Sequence, residues 1–197
     1  TGAPIAMNYH ATNLKLAEYR RRIADLRKEM RAARADIAPE EVGDYEFTTP
    51  GGPVNLSGLF GAKRDLIVIH NMGVSCPYCT LWADGYNGIH HHLNERAAFA
   101  IASPDSPEVQ RKFAELRGWR FPMVSHHGTS FAADMGYRDE RGKFLPGVSV
   151  FRKDGARIVR VSDAPSDVGD DFCPLWHLFD LLPGGIGDFR PKLRYPE

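Results

Sequence analysis

Three cysteines in 197 residues are too few for a secreted disulfide framework, and two of the three fall in one Cys-x-x-Cys. No apolar run approaches the roughly 20 residues that a membrane span needs. Net charge is absent as well: 25 basic residues balance 25 acidic ones, so no field points to nucleic acid or an anionic membrane. Near the start of the sequence no signal-peptide pattern is visible, and no segment repeats along the chain. These absences leave one ordinary domain with an extension, placed by expectation in a reducing cytoplasm, with a dithiol as its conspicuous chemistry.

That dithiol is Cys76-Pro77-Tyr78-Cys79. It follows the apolar run Leu66-Ile67-Val68-Ile69 and precedes residues 80–93, which can form a helix. Disulfide exchange needs one accessible, easily ionised thiol and a second one close enough to attack the mixed disulfide. Unpaired N–H groups and the positive dipole end at a helix start favour a thiolate at Cys76. Cys79 is three residues on, along the same helical face. Cys76 is therefore the expected attacking thiolate and Cys79 the resolving thiol. The two cysteines carry the electrons, so no dissociable cofactor is required.

Elsewhere the pattern sets two regions, 1–40 and 41–197. In the first, Leu16, Tyr19, Ile23, Leu26, Met30, Ala33 and Ile37 alternate three and four apart, predicting a helix over 13–37 with a narrow apolar seam. Such a seam suits either the helix's own domain or a partner helix, so a homodimer through this arm is a candidate assembly. Acids among the arginines of the other faces argue against nucleic acid. In the second region, residues 45–48 and 54–56 read as a hairpin, and residues 65–69 as a central strand covered on both faces. Gly85 and Gly88 predict that the dithiol helix bends or ends early. A second buried strand follows at 98–102. Ser106-Pro107-Glu108 opens a helix that Gly118 ends. Residues 121–125 are extended and 129–136 form a short helix. Strands at 148–151 and 157–161 flank the turn signal Asp154-Gly155. Residues 172–182, apolar nearly all round, predict a largely buried closing helix. The order implies a mixed sheet with helices on both faces.

Cys76-Pro-Tyr-Cys79, Trp82-Ala-Asp-Gly85, Gly118-Trp-Arg-Phe-Pro-Met-Val-Ser125, Pro146-Gly-Val-Ser-Val-Phe151 and Leu178-Phe-Asp-Leu-Leu-Pro183 together resemble the thioredoxin superfamily. Within it they are most similar to the bacterial domain-of-unknown-function family 899, often labelled predicted dithiol-disulfide oxidoreductase. The resemblance implies a thioredoxin-like three-layer α/β/α sandwich, with an N-terminal helical extension. It implies a substrate groove shaped by Pro77, Tyr78, Leu145 and Pro146, with Pro146 a cis-proline facing the dithiol and Pro122 its rival for that place. The superfamily's buried acid six residues before the first cysteine is here His70. A histidine there is either a proton shuttle for Cys79 or a core residue bonded to the backbone. The expected partners are a disulfide-containing protein or small thiol and an electron donor.

Other readings stay open. A peroxiredoxin-like peroxidase would carry Pro-x-x-x-Thr-x-x-Cys, yet Ile69 and Gly73 stand at the Pro and Thr positions before Cys76. A glutaredoxin shares the Cys-Pro-Tyr-Cys letters, but its Thr-Val-Pro is here Phe144-Leu145-Pro146. A thioredoxin-fold adaptor or redox-sensing dimer built on the arm is the non-enzymatic alternative. His90-His91-His92 point to different faces of a helix, so no metal site is expected. His126 and His127 are candidates for the groove edge, and Cys173 is expected to be buried.

Overall fold

The structure, a computed structural model, describes residues 8–196. They fall into two compact units that part between Ala38 and Pro39.

The first unit is α1 (Tyr9–Ala35). It begins four residues before the seam predicts, because the Asn8 side chain accepts from the Ala11 N–H at 2.8 Å and caps it. No residue of α1 is buried, and Leu16, Tyr19, Ile23, Leu26 and Met30 are exposed along its seam.

The second unit is an eight-stranded mixed sheet with helices on both faces, a thioredoxin-like α/β/α sandwich. Its elements are β1 (Glu40–Val42), β2 (Glu46–Thr49), β3 (Gly52–Asn55), α2 (Leu56–Leu59), β4 (Asp65–His70), α3 (Pro77–Arg96) and β5 (Ala98–Ser103). There follow α4 (Pro107–Arg117), β6 (Met123–Ser125), α5 (Phe131–Asp134), β7 (Gly147–Asp154), β8 (Arg157–Pro165) and α6 (Pro174–Phe179). The strand order is β1-β8-β7-β4-β5-β6-β2-β3. β4 pairs parallel with β5 and antiparallel with β7, and β5 pairs parallel with β6. The outermost strands are short: β1 carries Glu40 and Glu41, and β3 carries Pro53.

The continuous apolar run of β4 is explained by burial on both sides. Leu66 and Val68 enter a core with Phe47, Leu56, Phe131 and Phe151. Ile67 and Ile69 enter the opposite one, with Trp82, Tyr86, Phe99 and Trp176. β4, β5 and β6 run parallel, so their carboxyl ends, His70, Ser103 and Ser125, share one edge of the sheet.

Two expectations are overturned. α3 runs unbroken for 20 residues despite Gly85 and Gly88. Contacts on either side of the glycines offset their propensity cost of about 1 kcal/mol each. Asp84 accepts from Trp119 Nε1 at 2.8 Å and pairs with Arg117, while the Asn87 side chain bridges the Gly118 carbonyl and the Arg120 N–H. The closing helix is only six residues long and buries Trp176 alone. After it the chain advances in single turns, Leu182 N to Phe179 O and Phe189 N to Ile186 O among them. These turns aim Ile186 and Phe189 at the core and leave Leu178, Leu181 and Leu182 exposed.

Candidate active site

β4 ends at His70, residues 71–75 turn, and Cys76 is the N-cap residue of α3 with Pro77 in the first turn. The turn is fixed by side chains. Asn71 Oδ1 accepts from the Gly73 N–H at 2.8 Å, and Asp105 Oδ2 accepts from the Val74 N–H at 3.0 Å and from Ser103 Oγ at 2.9 Å. Gly73 has φ +113°, and a Cβ there would lie 3.2 Å from both Asp105 oxygens, so backbone conformation and space both call for glycine. The Cys76 N–H donates to the Gly73 carbonyl at 3.1 Å, and Thr80 returns its N–H and hydroxyl to the Cys76 carbonyl at 3.0 and 2.9 Å.

The two thiols, both reduced, are unlike. Cys76 is half-buried, and its Sγ accepts from the Cys79 N–H at 3.1 Å. The Cys79 thiol bonded to it, opposed by burial and helped by the N–H groups of Cys79 and Tyr78, brings its pKa down to about 7. Cys79 is buried, and the same thiol contact, desolvation and the Cys76 charge push its pKa up. Its Sγ accepts weakly from the Met72 N–H at 3.5 Å.

The residues expected to shape a groove are placed as follows. Pro146 lines a hollow of about 10 Å³ with Asn71, Cys79, Trp82, Tyr86 and Ser166, so it stands beside the dithiol. Its peptide bond is trans, like every other among the described residues, which corrects the cis-proline expectation for Pro146 and for Pro122 alike. In this setting Leu145 donates its N–H to the Tyr137 carbonyl at 2.9 Å, and the Pro146 carbonyl accepts from the Ser166 N–H at 3.1 Å. The Leu145 N–H, which a cis-proline would help present to a substrate, is thus taken up inside the fold. Pro77 is half-buried at the helix start. Tyr78 is half-buried, its ring 6.3 Å from that of Trp82, and Leu145 packs against the first core.

His70 borders the same small hollow as Cys79, but its ring is held by residues of the other core. Its Nε2 bonds Ser149 Oγ at 2.8 Å, its Nδ1 has no partner among the described residues, and its ring stacks 3.9 Å from Tyr137. Those neighbours line the core on the far side of the sheet from Trp82 and Tyr86 of α3. Burial lowers the His70 pKa to about 3, so the ring is neutral. The geometry is that of the core histidine, with a serine hydroxyl in place of the expected backbone carbonyl. His90, His91 and His92 stand about 20 Å along α3 from the dithiol, and no group of three metal-ligating side chains is gathered among the described residues. Cys173 is buried at the start of α6, its pKa raised by burial.

Sequence reading missed Asn71 and Asp105, which hold the turn, and Tyr137 and Ser149, which hold His70. Only Gly73, two residues from Asn71 and three from Cys76, gave a local signal, since a glycine before a helix start marks an unusual backbone.

Among the described residues no helix is long and apolar enough to cross a membrane. No curated protein matches the chain. Solved structures do. Peroxidoxin BcpB from Mycobacterium tuberculosis is 28% identical over 65% of this chain and 84% of its own, with a TM-score of 0.53. Peroxiredoxin Q from Xanthomonas campestris is 19% identical over 62% of this chain and 80% of its own, at 0.53. Reduced Prx3 from Vibrio vulnificus, in complex with hydrogen peroxide, is 14% identical over 68% of this chain and 90% of its own, at 0.54. These likenesses place the fold in the thioredoxin superfamily. The sequence model of the bacterial proteins of unknown function called DUF899 matches residues 7–194, so the chain belongs to that family.

Proposed function

We propose that this protein is a dithiol–disulfide oxidoreductase acting in a reducing cytoplasm. The observation that carries the reading is the asymmetry of the pair: Cys76 is half-exposed with a pKa near 7, and Cys79 is buried and held protonated. Thiolate at Cys76 attacks one sulfur of a substrate disulfide, forming a mixed disulfide and releasing the other sulfur as a thiolate that takes up a proton. Cys79 then loses its proton and attacks Cys76 Sγ, releasing the second substrate thiol and leaving a Cys76–Cys79 disulfide. An external thiol donor restores the dithiol. Pro77, Tyr78 and Pro146 are the groove of this proposal, and Leu145, whose side chain packs against the first core, belongs to it only through its bond to Pro146. A dimer through the α1 seam is part of the same proposal.

Reduction of insulin or of a small disulfide, driven by dithiothreitol, tests it. Cys76→Ser should abolish turnover, and Cys79→Ser should trap a mixed disulfide that mass spectrometry detects. A titration of the pair against glutathione separates directions: a potential near about −270 mV suits a reductase and one near −120 mV an oxidant. Absence of any reversible Cys76–Cys79 disulfide would overturn the reading.

A second reading, thiol peroxidase, is favoured by the fold likeness to peroxiredoxins. Against it, Ile69 and Gly73 stand where those enzymes place Pro and Thr. Peroxide-dependent turnover faster than disulfide turnover would select it.

A further inference from the structure

A cavity of about 380 Å³ opens at the same edge of the sheet as the dithiol. That is ample for a small ligand and far larger than the hollow at Cys79. Pro104, His126, His127, Thr129, Arg138 and Phe144 line it. Two of these tie it to the redox site. Pro104 directly precedes Asp105, which holds the turn before Cys76, and Phe144 lies two residues before Pro146, which stands beside Cys79.

Its chemistry is one-sided. Arg138 contributes a permanent cation and His126 and His127 two imidazoles, while no carboxylate is among the lining residues. Arg138 makes no ion pair among the described residues; its Nε donates to the Gly142 carbonyl at 3.3 Å. A backbone bridge between Arg138 and Phe144 sets them side by side, with the guanidinium 5.4 Å above the ring. His126 is 3% exposed, and its tilted ring lies 5.1 Å from that of Phe144. The result is an aromatic wall with a cation at its rim. It fits a short apolar chain that ends in a carboxylate, which guanidinium binds with charge-assisted hydrogen bonds.

We propose that this cavity is the substrate subsite of the dithiol, and that it selects small disulfides carrying a carboxylate: the carboxylate seats on Arg138 and the connecting chain on Phe144, while the sulfurs reach Cys76. The inference rests on the oxidoreductase reading above and names its substrate class. The chemistry is unchanged. Two enzyme thiols are oxidised to the Cys76–Cys79 disulfide, the substrate disulfide becomes two carboxylate-bearing thiols, and a dithiol such as dithiothreitol supplies the next electron pair.

Three disulfides of matched chain length test it in the intact protein: dithiodihexanoate, bis(hydroxyhexyl) disulfide and bis(aminohexyl) disulfide. We expect kcat/KM to favour the dianion over the neutral compound by about tenfold or more, the worth of one charge-assisted hydrogen bond. The diamine should be slowest. Arg138→Gln should bring the dianion-to-neutral ratio close to one, chiefly through KM, and Arg138→Lys should restore part of it; thermal melts verify that both variants fold. An NMR titration with hexanoate, which cannot react, should move the His126 and His127 ring signals saturably in the wild type and not in Arg138→Gln.

Equal turnover of the three disulfides, or a ratio unaltered in Arg138→Gln, overturns the subsite while Cys76-dependent turnover keeps the oxidoreductase reading. The same holds for a strong preference for insulin over every small disulfide. Hexanoate binding without turnover of any disulfide sinks the redox reading and with it the subsite's role. No hexanoate binding overturns the anion cavity outright.

Discussion

The Cys79 N–H points at Cys76 Sγ from 3.1 Å, so in the proposed mechanism the resolving residue also prepares the attacking one. The Cys79 thiol is the largest influence lowering the Cys76 pKa, to about 7. A depressed thiol pKa means more thiolate at neutral pH. Alkylation of Cys76 by iodoacetamide should therefore rise with pH around a midpoint near 7. In Cys79→Ala the backbone N–H remains but the thiol donor is gone, and the midpoint should move up toward that of a free cysteine, about 8.5. Peptide mass mapping of the alkylated protein reads both.

Asp105, two residues past the end of β5, anchors the dithiol turn at Val74, 31 residues away in sequence. Asp105→Ala leaves the Val74 N–H and the Ser103 hydroxyl without their acceptor, at a cost of about 1–3 kcal/mol. Urea unfolding should show that loss. The rate of disulfide exchange should fall more than in a Glu108→Ala control, whose carboxylate pairs with Lys112 on the exposed face of α4.

His70 is held neutral by burial, with a pKa near 3 against about 6.5 for a free histidine. Between these values the unfolded chain binds a proton that the folded one refuses, so stability rises with pH and is lost as pH falls from about 6.5. Buried His126 shifts in the same direction and adds to the slope. Replacing His70 by Gln should flatten the fall in unfolding free energy between pH 6.5 and 5 by up to about 2 kcal/mol. Disulfide exchange near pH 7 should change little, since neither ring nitrogen bonds a thiol.

The exposed seam of α1 carries the proposed dimer. A double replacement, Ile23→Lys with Leu26→Lys, should weaken self-association by at least about 2 kcal/mol, because each side chain forfeits its burial. Sedimentation velocity across a concentration series would show it. A wild type that stays monomeric throughout removes the arm from the assembly.

Where sequence and structure agree, the signal was local. Ser106-Pro107-Glu108 opens α4 and Gly118 closes it in the left-handed region at φ +66°, each through its own backbone preference. The dithiol at a helix start was legible for the same reason. What escaped depends on residues far apart in the chain. Gly147 offers the clearest case: a Cβ there would overlap the Tyr137 ring and come 2.8 Å from the Ala164 carbonyl. Tyr137 fills that space, donates to the Ala164 carbonyl at 3.0 Å and stacks on His70. No spacing in the sequence announces that packing, and without it His70 reads as easily for catalysis as for the core. Residues 172–182 misled in the opposite sense, since apolar composition alone does not say whether a segment continues as a helix or breaks into turns.

Short, guarded borders of the sheet have a bearing on how substrates arrive. β1 offers three residues and two carboxylates, and β3 a proline that cannot donate to a ladder. A partner polypeptide is thereby discouraged from being zipped on as a ninth strand. Strand addition would bring a client in flat along the side of the molecule, in a register set by its backbone. Under the proposed function a client would then approach end-on, at the strand tips, where recognition falls to side chains and a few ångströms of reach decide what can touch Cys76.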